Sequence, residues 1–477
     1  MARSEGSLKA ELVIVGAGGS GLAAAVTAAA QGMKVIVLEK RKVAGGNTVF
    51  AEGLFGADSP TQKRLLIDAR PDVLFKKAMY FAHWTLNPRV LRAFIDRSGD
   101  TIRWLEEKGI KFHIPPLFVN QVPMTWHCPS RNGGEIIDLF LKDCKSLGVK
   151  IMYSTRATGI IKGRSGKVSG LEAESNGKKI KIEAKSVIIA SGGYGANQEL
   201  LKKYNSKYHD MIRYRGVPGA STGDGLLMAM EAGCANEGLG IIQFTGPNCL
   251  ESSKLTGIAR EPTTVWVNVQ GQRFFDEGMS FYNFEAANAI LRQPGSVMYC
   301  LFDEQLKQES IKEGPIKAML GGIYNADTST LETDLKAQLD KAVKVSQSWA
   351  EIARWTGAKP ETLTATIREY NYYCDHGHDT IFDKDLRYLR PLKTPPFYAI
   401  RCYPTFLTTI GGIKINERME VVDKKDDAIP GLYAVGNDTG GWESETYDAD
   451  LSGTTLGFAI NSGRIAAEYA AAYITGK

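Results

Sequence analysis

Apolar residues in this chain come in short bursts separated by glycine and charge. The burst at 10–15 stops at Gly16-Ala17-Gly18-Gly19-Ser20-Gly21, an alanine-rich stretch fills 22–31, and a second apolar run at 34–38 closes on Glu39. That order predicts strand, glycine turn, helix, strand. Runs at 151–153 and 157–161 lead into an expected antiparallel meander at 167–174 and 179–184, followed by a buried strand at 186–190 that ends in Ser191-Gly192-Gly193. The first half should therefore mix parallel and antiparallel strands. From about 242 to 407 the texture changes to glycine-poor helical patterns at 331–354 and 360–373, with few long apolar strand runs. After it, 431–437 restores a buried strand and 454–473 reads as a closing helix.

Composition narrows the class. A length of 477 residues calls for more than one packed unit. The balance of 58 Lys+Arg against 53 Asp+Glu leaves a net charge of +5 without basic blocks, which gives nucleic acid no footprint. No apolar run reaches the roughly 18 residues of a bilayer span, and the first residues lack the pattern of a signal peptide. The expectation is a cytoplasmic protein without a transmembrane segment. Seven scattered cysteines without a CxxC pair argue against a disulfide scaffold, c-type haem or iron–sulfur cluster. Six histidines without HxxH or HExxH spacing give no support to a metal site.

The glycine turn carries the first chemistry. Gly16 makes the turn, Gly18 lets backbone approach a pyrophosphate at the helix N-terminus, and Gly21 allows close helix–strand packing. Glu39 then stands where a carboxylate accepts ribose hydroxyls and repels a 2′-phosphate, so an ordinary adenosine nucleotide is expected. Gly45-Gly46-Asn47-Thr48 offers backbone N–H groups and small polar side chains to a phosphate or ring edge. Together with 191–195 and 431–441, these motifs mark a flavoprotein with a split Rossmann-like FAD-binding domain of the two-dinucleotide-binding type. The fold class expected is α/β, residues 1–241 and 408–477 forming the two parts of that domain and 242–407 an inserted α+β cap that holds substrate.

On these segments, and on Thr222-Gly223-Asp224-Gly225, 268–277, Pro396-Phe397-Tyr398, Gly411-Gly412 and 452–465, the chain resembles the flavoprotein family of fumarate reductase and succinate dehydrogenase. The 3-ketosteroid dehydrogenases are a related branch, and the likeness covers almost the whole chain. It implies FAD, held without a covalent link because 45–56 contains no histidine, and a mobile cap closing over it. The cofactor set it implies comprises Gly16, Gly18, Gly19, Ser20 and Gly21, Glu39 and Lys40, Gly45 to Thr48 (Gly45, Gly46, Asn47, Thr48), Gly53, Ala157, Ser191, Gly192, Gly193 and Asp224. Gly436 and Asn437 would face the ribityl chain, and Gly453, Thr454, Thr455 and Leu456 the pyrimidine edge, where a helix N-terminus stabilises negative charge.

Departures from the family pattern bear on the substrate. Fumarate reductases clamp both carboxylates with a Thr-Glu pair, histidines and arginines, and an Arg soon after the RFxNE-like segment donates the proton. Here Thr256 precedes Gly257, Arg273-Phe274-Phe275-Asp276-Glu277 is followed by Phe281-Tyr282 where that Arg would fall, Leu407-Thr408 replaces the paired His, and Asn-Arg-Leu-Gly-Gly reads Ala449-Asp450-Leu451-Ser452-Gly453. A dicarboxylate would meet Asp450 and apolar groups. Ketosteroid dehydrogenases use tyrosines over the flavin, and this chain offers Tyr447 together with Tyr282, or Phe281 at the nearer register. His127 and Arg131 match a family loop that enters the active site and, with Arg260, either bind substrate or tie their loops down.

The resulting expectation is an FAD oxidoreductase acting on a CH–CH bond beside a carbonyl, in an apolar, steroid-like substrate. Its electron donor or acceptor would be a diffusible molecule or a partner protein. Two alternatives stay open: a reductase of a small carboxylate of fumarate or urocanate type, clamped by Arg260, His127 and Arg131, and a flavin electron carrier with no substrate of its own.

Overall fold

The computed structural model describes residues 8–116, 122–206, 210, 212–314 and 328–476. Its first sheet has six strands in the order Glu420–Val422, Ala428–Ala434, Ser186–Ile189, Leu12–Val15, Val35–Leu38, Lys150–Met152. All neighbours run parallel except the edge pair Glu420–Val422 and Ala428–Ala434. Leu12–Val15, Val35–Leu38 and Ser186–Ile189 are buried at every position, as a parallel sheet covered on both faces requires. The expected meander forms a second sheet from Leu8–Lys9, Lys178–Glu183, Val168–Ser175 and Thr155–Lys162.

The third sheet is organised by one 13-residue strand, Phe397–Thr409. Met298–Asp303 and Val343–Ser346 pair with its first half, while Ile242–Asn248 and Arg213–Tyr214 pair with its second. Val265–Val267 pairs with Met298–Asp303. Alternation along these strands divides two cores: Trp266, Met298, Cys300 and Phe302 fill one, and Val265, Val267, Tyr299 and Leu301 the other. Arg213–Tyr214 and the end of Phe397–Thr409 carry this sheet past residues 241 and 407.

Two expectations for this region are corrected. The pattern at 331–354 is not one helix but helix Leu331–Ala337, strand Val343–Ser346 and helix Trp349–Thr356. Val343 and Val345 alternate with polar neighbours, and Asp340 at φ 57 breaks the chain before them. Nor is the region poor in apolar strands, since Met298–Asp303 is buried at all six positions.

The closing helix Thr454–Thr475 lies on helix Gly19–Ala30. A Cβ on Gly463 would stand 2.3 Å from the carbonyl oxygen of Ser20, so the two helices meet backbone to backbone. Ser20 and Ala459, one from each helix, line a cleft at the ends of the first sheet. Among the described residues, no helix is long and apolar enough to cross a membrane.

Candidate active site

A cleft of about 810 Å³ opens beyond the ends of Leu12–Val15, Val35–Leu38 and Ser186–Ile189. Gly16 turns at φ 108, and a Cβ there would sit 2.3 Å from the Ala190 oxygen. A Cβ on Gly21 would sit 2.0 Å from the Gly16 oxygen, whereas Gly18 meets nothing closer than 3.9 Å and faces open space. Thr48 Oγ1 accepts the Gly19 N–H at 3.1 Å, bringing 45–48 over the helix start. Buried Glu39 takes the N–H groups of Ala17 at 3.0 Å and Arg41 at 2.8 Å. These bonds aim its carboxylate into the cleft wall. The Asn437 side chain donates to Thr408 Oγ1 at 2.9 Å, but its own buried Oδ1 has no protein partner and belongs to a residue that lines the cleft. A turn open at Gly18, a buried acid and an orphaned amide oxygen fit a long nucleotide with further polar edges.

Charge in the cleft is balanced at Asp224. Arg156 Nη2 lies 2.6 Å from Oδ1, Lys40 Nζ lies 3.0 Å from Oδ2, and the Thr222 hydroxyl donates to the same Oδ2. Burial alone would raise this carboxyl, but Arg156 and Lys40 outweigh it and hold it below the usual range.

Toward the cap, Gly453 at φ 90 opens the closing helix. The Thr455 hydroxyl donates to Gln243 Oε1 at 3.1 Å, and Thr454 donates to Glu443 Oε2 at 3.0 Å. Tyr447 is buried, accepts the Gly453 N–H at 3.2 Å, and lays its ring 4.7 Å from that of Phe284 on helix Asn283–Leu291. Phe281 and Tyr282 stand together just before that helix, with centroids 4.9 Å apart. Burial pushes both phenols above their ordinary range, so each is a neutral O–H at physiological pH.

A family model described as an FAD binding domain matches residues 11–448. The chain belongs to this family. This flavoprotein has FAD as its cofactor and is an FAD-dependent oxidoreductase acting on carbon–carbon double bonds. It is 30% identical to the vinyl phenol reductase of Lactiplantibacillus plantarum, over 97% of this chain and 96% of that one. The open conformation of a flavocytochrome c3 fumarate reductase matches with a TM-score of 0.79 at 27% identity, covering 99% of this chain and 79% of that one. A 3-ketosteroid Δ1-dehydrogenase from Sterolibacterium denitrificans matches with a TM-score of 0.81 at 18% identity, over 98% and 100% of the two chains, and shares the fold.

In this flavoprotein the cleft gathers Gly16, Gly18, Gly19, Ser20, Glu39, Lys40, Gly46, Asn47, Thr48, Ala157, Ser191, Gly192, Asp224 and Asn437 from far apart in sequence. Gly21, Gly45, Gly53, Gly193 and Gly436 stand behind its surface. The first supports Gly16, Gly45 N–H donates to the Ala17 carbonyl, and Gly53 leaves room for Trp126. Gly193 donates to Asp438, and Gly436 to the Ser462 hydroxyl. Gly453, Thr454, Thr455 and Leu456 form the helix start between cleft and cap.

His127 and Arg131, expected either to bind substrate or to tie their loop down, do not line the cleft. Fully buried His127 spends Nε2 on Ser59 Oγ at 2.7 Å and Nδ1 on the Thr125 carbonyl at 2.9 Å, and burial lowers its pKa to about 4. Arg131 is mostly exposed and pairs with Asp138. Arg260 is buried with two donors committed, to the Pro247 carbonyl and Asn248 Oδ1, both at 3.0 Å. Sequence reasoning missed Asp438, whose buried carboxylate takes Ser191 Oγ and the N–H groups of Gly192 and Gly193 at 2.8 to 3.0 Å. Its signal was adjacency to Gly436-Asn437. Arg41 and Arg156, both lining the cleft, also escaped.

Proposed function

We propose that this flavoprotein reduces the double bond of a neutral, apolar substrate conjugated to a carbonyl, with Tyr447 as proton donor. The observation that carries this reading is the composition of the contact with the closing helix: aromatic Phe281, Tyr282, Phe284 and Tyr447, with the Asp450 carboxylate close to Tyr282. Such a wall accepts an apolar ring and repels a dicarboxylate. The vinyl phenol reductase relative favours a second substrate of similar character, an alkene on a phenol ring.

The turn at Gly16 to Gly21, Glu39, Thr48 and Asn437 would hold FAD, which when reduced supplies hydride. Tyr447 supplies the proton at the other alkene carbon. Its buried phenol stays protonated until substrate arrives. The Gly453 N–H, at the positive end of the closing helix, then stabilises the phenolate left behind. The cap aromatics exclude water from the transfer. Electrons enter from a diffusible donor or a partner protein. All seven cysteines are free thiols, which supports a reducing, cytoplasmic setting.

A panel of enones, 4-vinylphenol and fumarate, offered to the anaerobically reduced enzyme, tests the substrate. Turnover of at least one neutral alkene well above fumarate is expected, and comparable fumarate turnover would overturn the reading. General-acid help is typically worth about 100- to 10,000-fold, so Tyr447→Phe should lose at least about 100-fold in turnover with FAD content intact. A variant within twofold of the parent removes Tyr447 from the mechanism.

A further inference from the structure

A second, narrow cavity lies beside the start of the closing helix, lined by Phe55, Phe94, Trp442, Glu443 and Asp448. Both acids are at least nine-tenths buried. Glu443 Oε1 takes the N–H groups of Ser444 at 3.2 Å and Asp448 at 3.4 Å, while Oε2 takes the Thr454 hydroxyl at 3.0 Å. Asp448 Oδ1 takes the Asp450 N–H at 3.1 Å, and its buried Oδ2 has no partner. An unpartnered carboxylate oxygen is costly in such a place, whereas a carboxylic acid is tolerated. Burial first, then the neighbouring acid, pushes Glu443 up to about 8 and Asp448 up to about 7. The Tyr447 phenol oxygen takes the N–H of Gly453, the residue next to Thr454.

We propose that Asp448, Glu443 and the Thr454 hydroxyl form a line that returns a proton to Tyr447 after each turnover. This rests on the reading of Tyr447 as the acid. Once Tyr447 is a phenolate, Thr454 passes it the hydroxyl proton and takes another from the Glu443 carboxyl. The Glu443 carboxylate recovers its proton from Asp448 across the cavity that both acids line, and Asp448 from solvent on the side of Asp450, whose side chain is 55% exposed and ion-paired with Lys77 at 3.1 Å. The sum is one proton moved from solvent to phenol, with no electrons transferred. The charged or titratable groups around the line are Tyr447, Asp450, Lys77 from helix Pro71–Phe81, and Glu285 from the cap, which faces Asp450. Helix Pro88–Glu107 presents only Leu91, Phe94 and Ile95 to the cavity. Glu443, Asp448 and Thr454 are thus positioning residues that act through Tyr447.

The test compares the first turnover of reduced enzyme with the steady state. In Glu443→Gln the first turnover should match the parent, because Tyr447 begins protonated. Later turnovers should slow by about 10-fold or more, with KM and FAD content unchanged and with Glu443→Asp recovering part of the loss. Infrared titration of substrate-free enzyme should show a carboxylic C=O band that disappears as pH rises through about 8 and is missing from Glu443→Gln. Should that variant lose FAD, Asp448→Asn carries the same comparison. Equal slowing of first and later turnovers, or steady-state rates within twofold of the parent while Tyr447→Phe stays slow, overturns the line alone. A fast Tyr447→Phe overturns the acid assignment itself.

Discussion

His127 shows how a residue with catalytic chemistry becomes part of the scaffold. Its family-like loop was legible in sequence, but its partner Ser59 comes from 68 residues upstream, and no local pattern announces that pairing. The consequence is measurable. Burial holds the folded pKa near 4, while the unfolded chain binds a proton near 6.5, so neutral His127 stabilises the fold above pH 6.5. That contribution is lost as pH falls from 6.5 through 4. Urea unfolding of the parent and His127→Asn should show the parent's advantage shrinking by about 2 to 3 kcal/mol between pH 7 and pH 4.5. An advantage independent of pH would mean that the imidazole titrates alike in the folded and unfolded chain. Tyr447, offered by motif, accepts the Gly453 N–H at a helix start and packs on the ring of Phe284.

At the scale of elements, the apolar runs that became parallel strands were legible because a strand buried on both faces must be apolar throughout. Val343–Ser346 was hidden because four residues of alternation carry too little period to stand out between two helices. The bond from Asp438 to the Ser191 turn spans 247 positions, beyond any local pattern. Helix packing offers a test remote from chemistry. Adding a methyl at Gly463 drives it into the backbone of Ser20, the residue beside the open glycine turn. Gly463→Ala should therefore lower FAD occupancy and the thermal midpoint together, although residue 463 itself does not line the cleft. Full occupancy at an unchanged midpoint would show that the two helices can part without disturbing the nucleotide turn.

At the scale of the molecule, the core beneath the cleft, which takes in Phe281 and Phe284, is distinct from the two cores on either side of the sheet around Phe397–Thr409. FAD bound at 1,000 times its Kd adds about 4 kcal/mol to whatever folds around it. Stripping FAD should lower the calorimetric transition of the nucleotide-binding part and leave a later one belonging to the cap. A single transition that shifts as a whole with FAD would show that the strand Phe397–Thr409 locks both into one cooperative unit. The order of the chain has another consequence, for synthesis. Ser186–Ile189 pairs with Ala428–Ala434, some 245 residues later. At about 5 to 20 residues per second, a ribosome leaves that sheet edge bare for roughly ten to fifty seconds. The cap is made and can collapse during that wait, so the nascent chain carries an exposed apolar edge that a chaperone would be expected to shield. The flavin gains its full seat only when the last helix emerges.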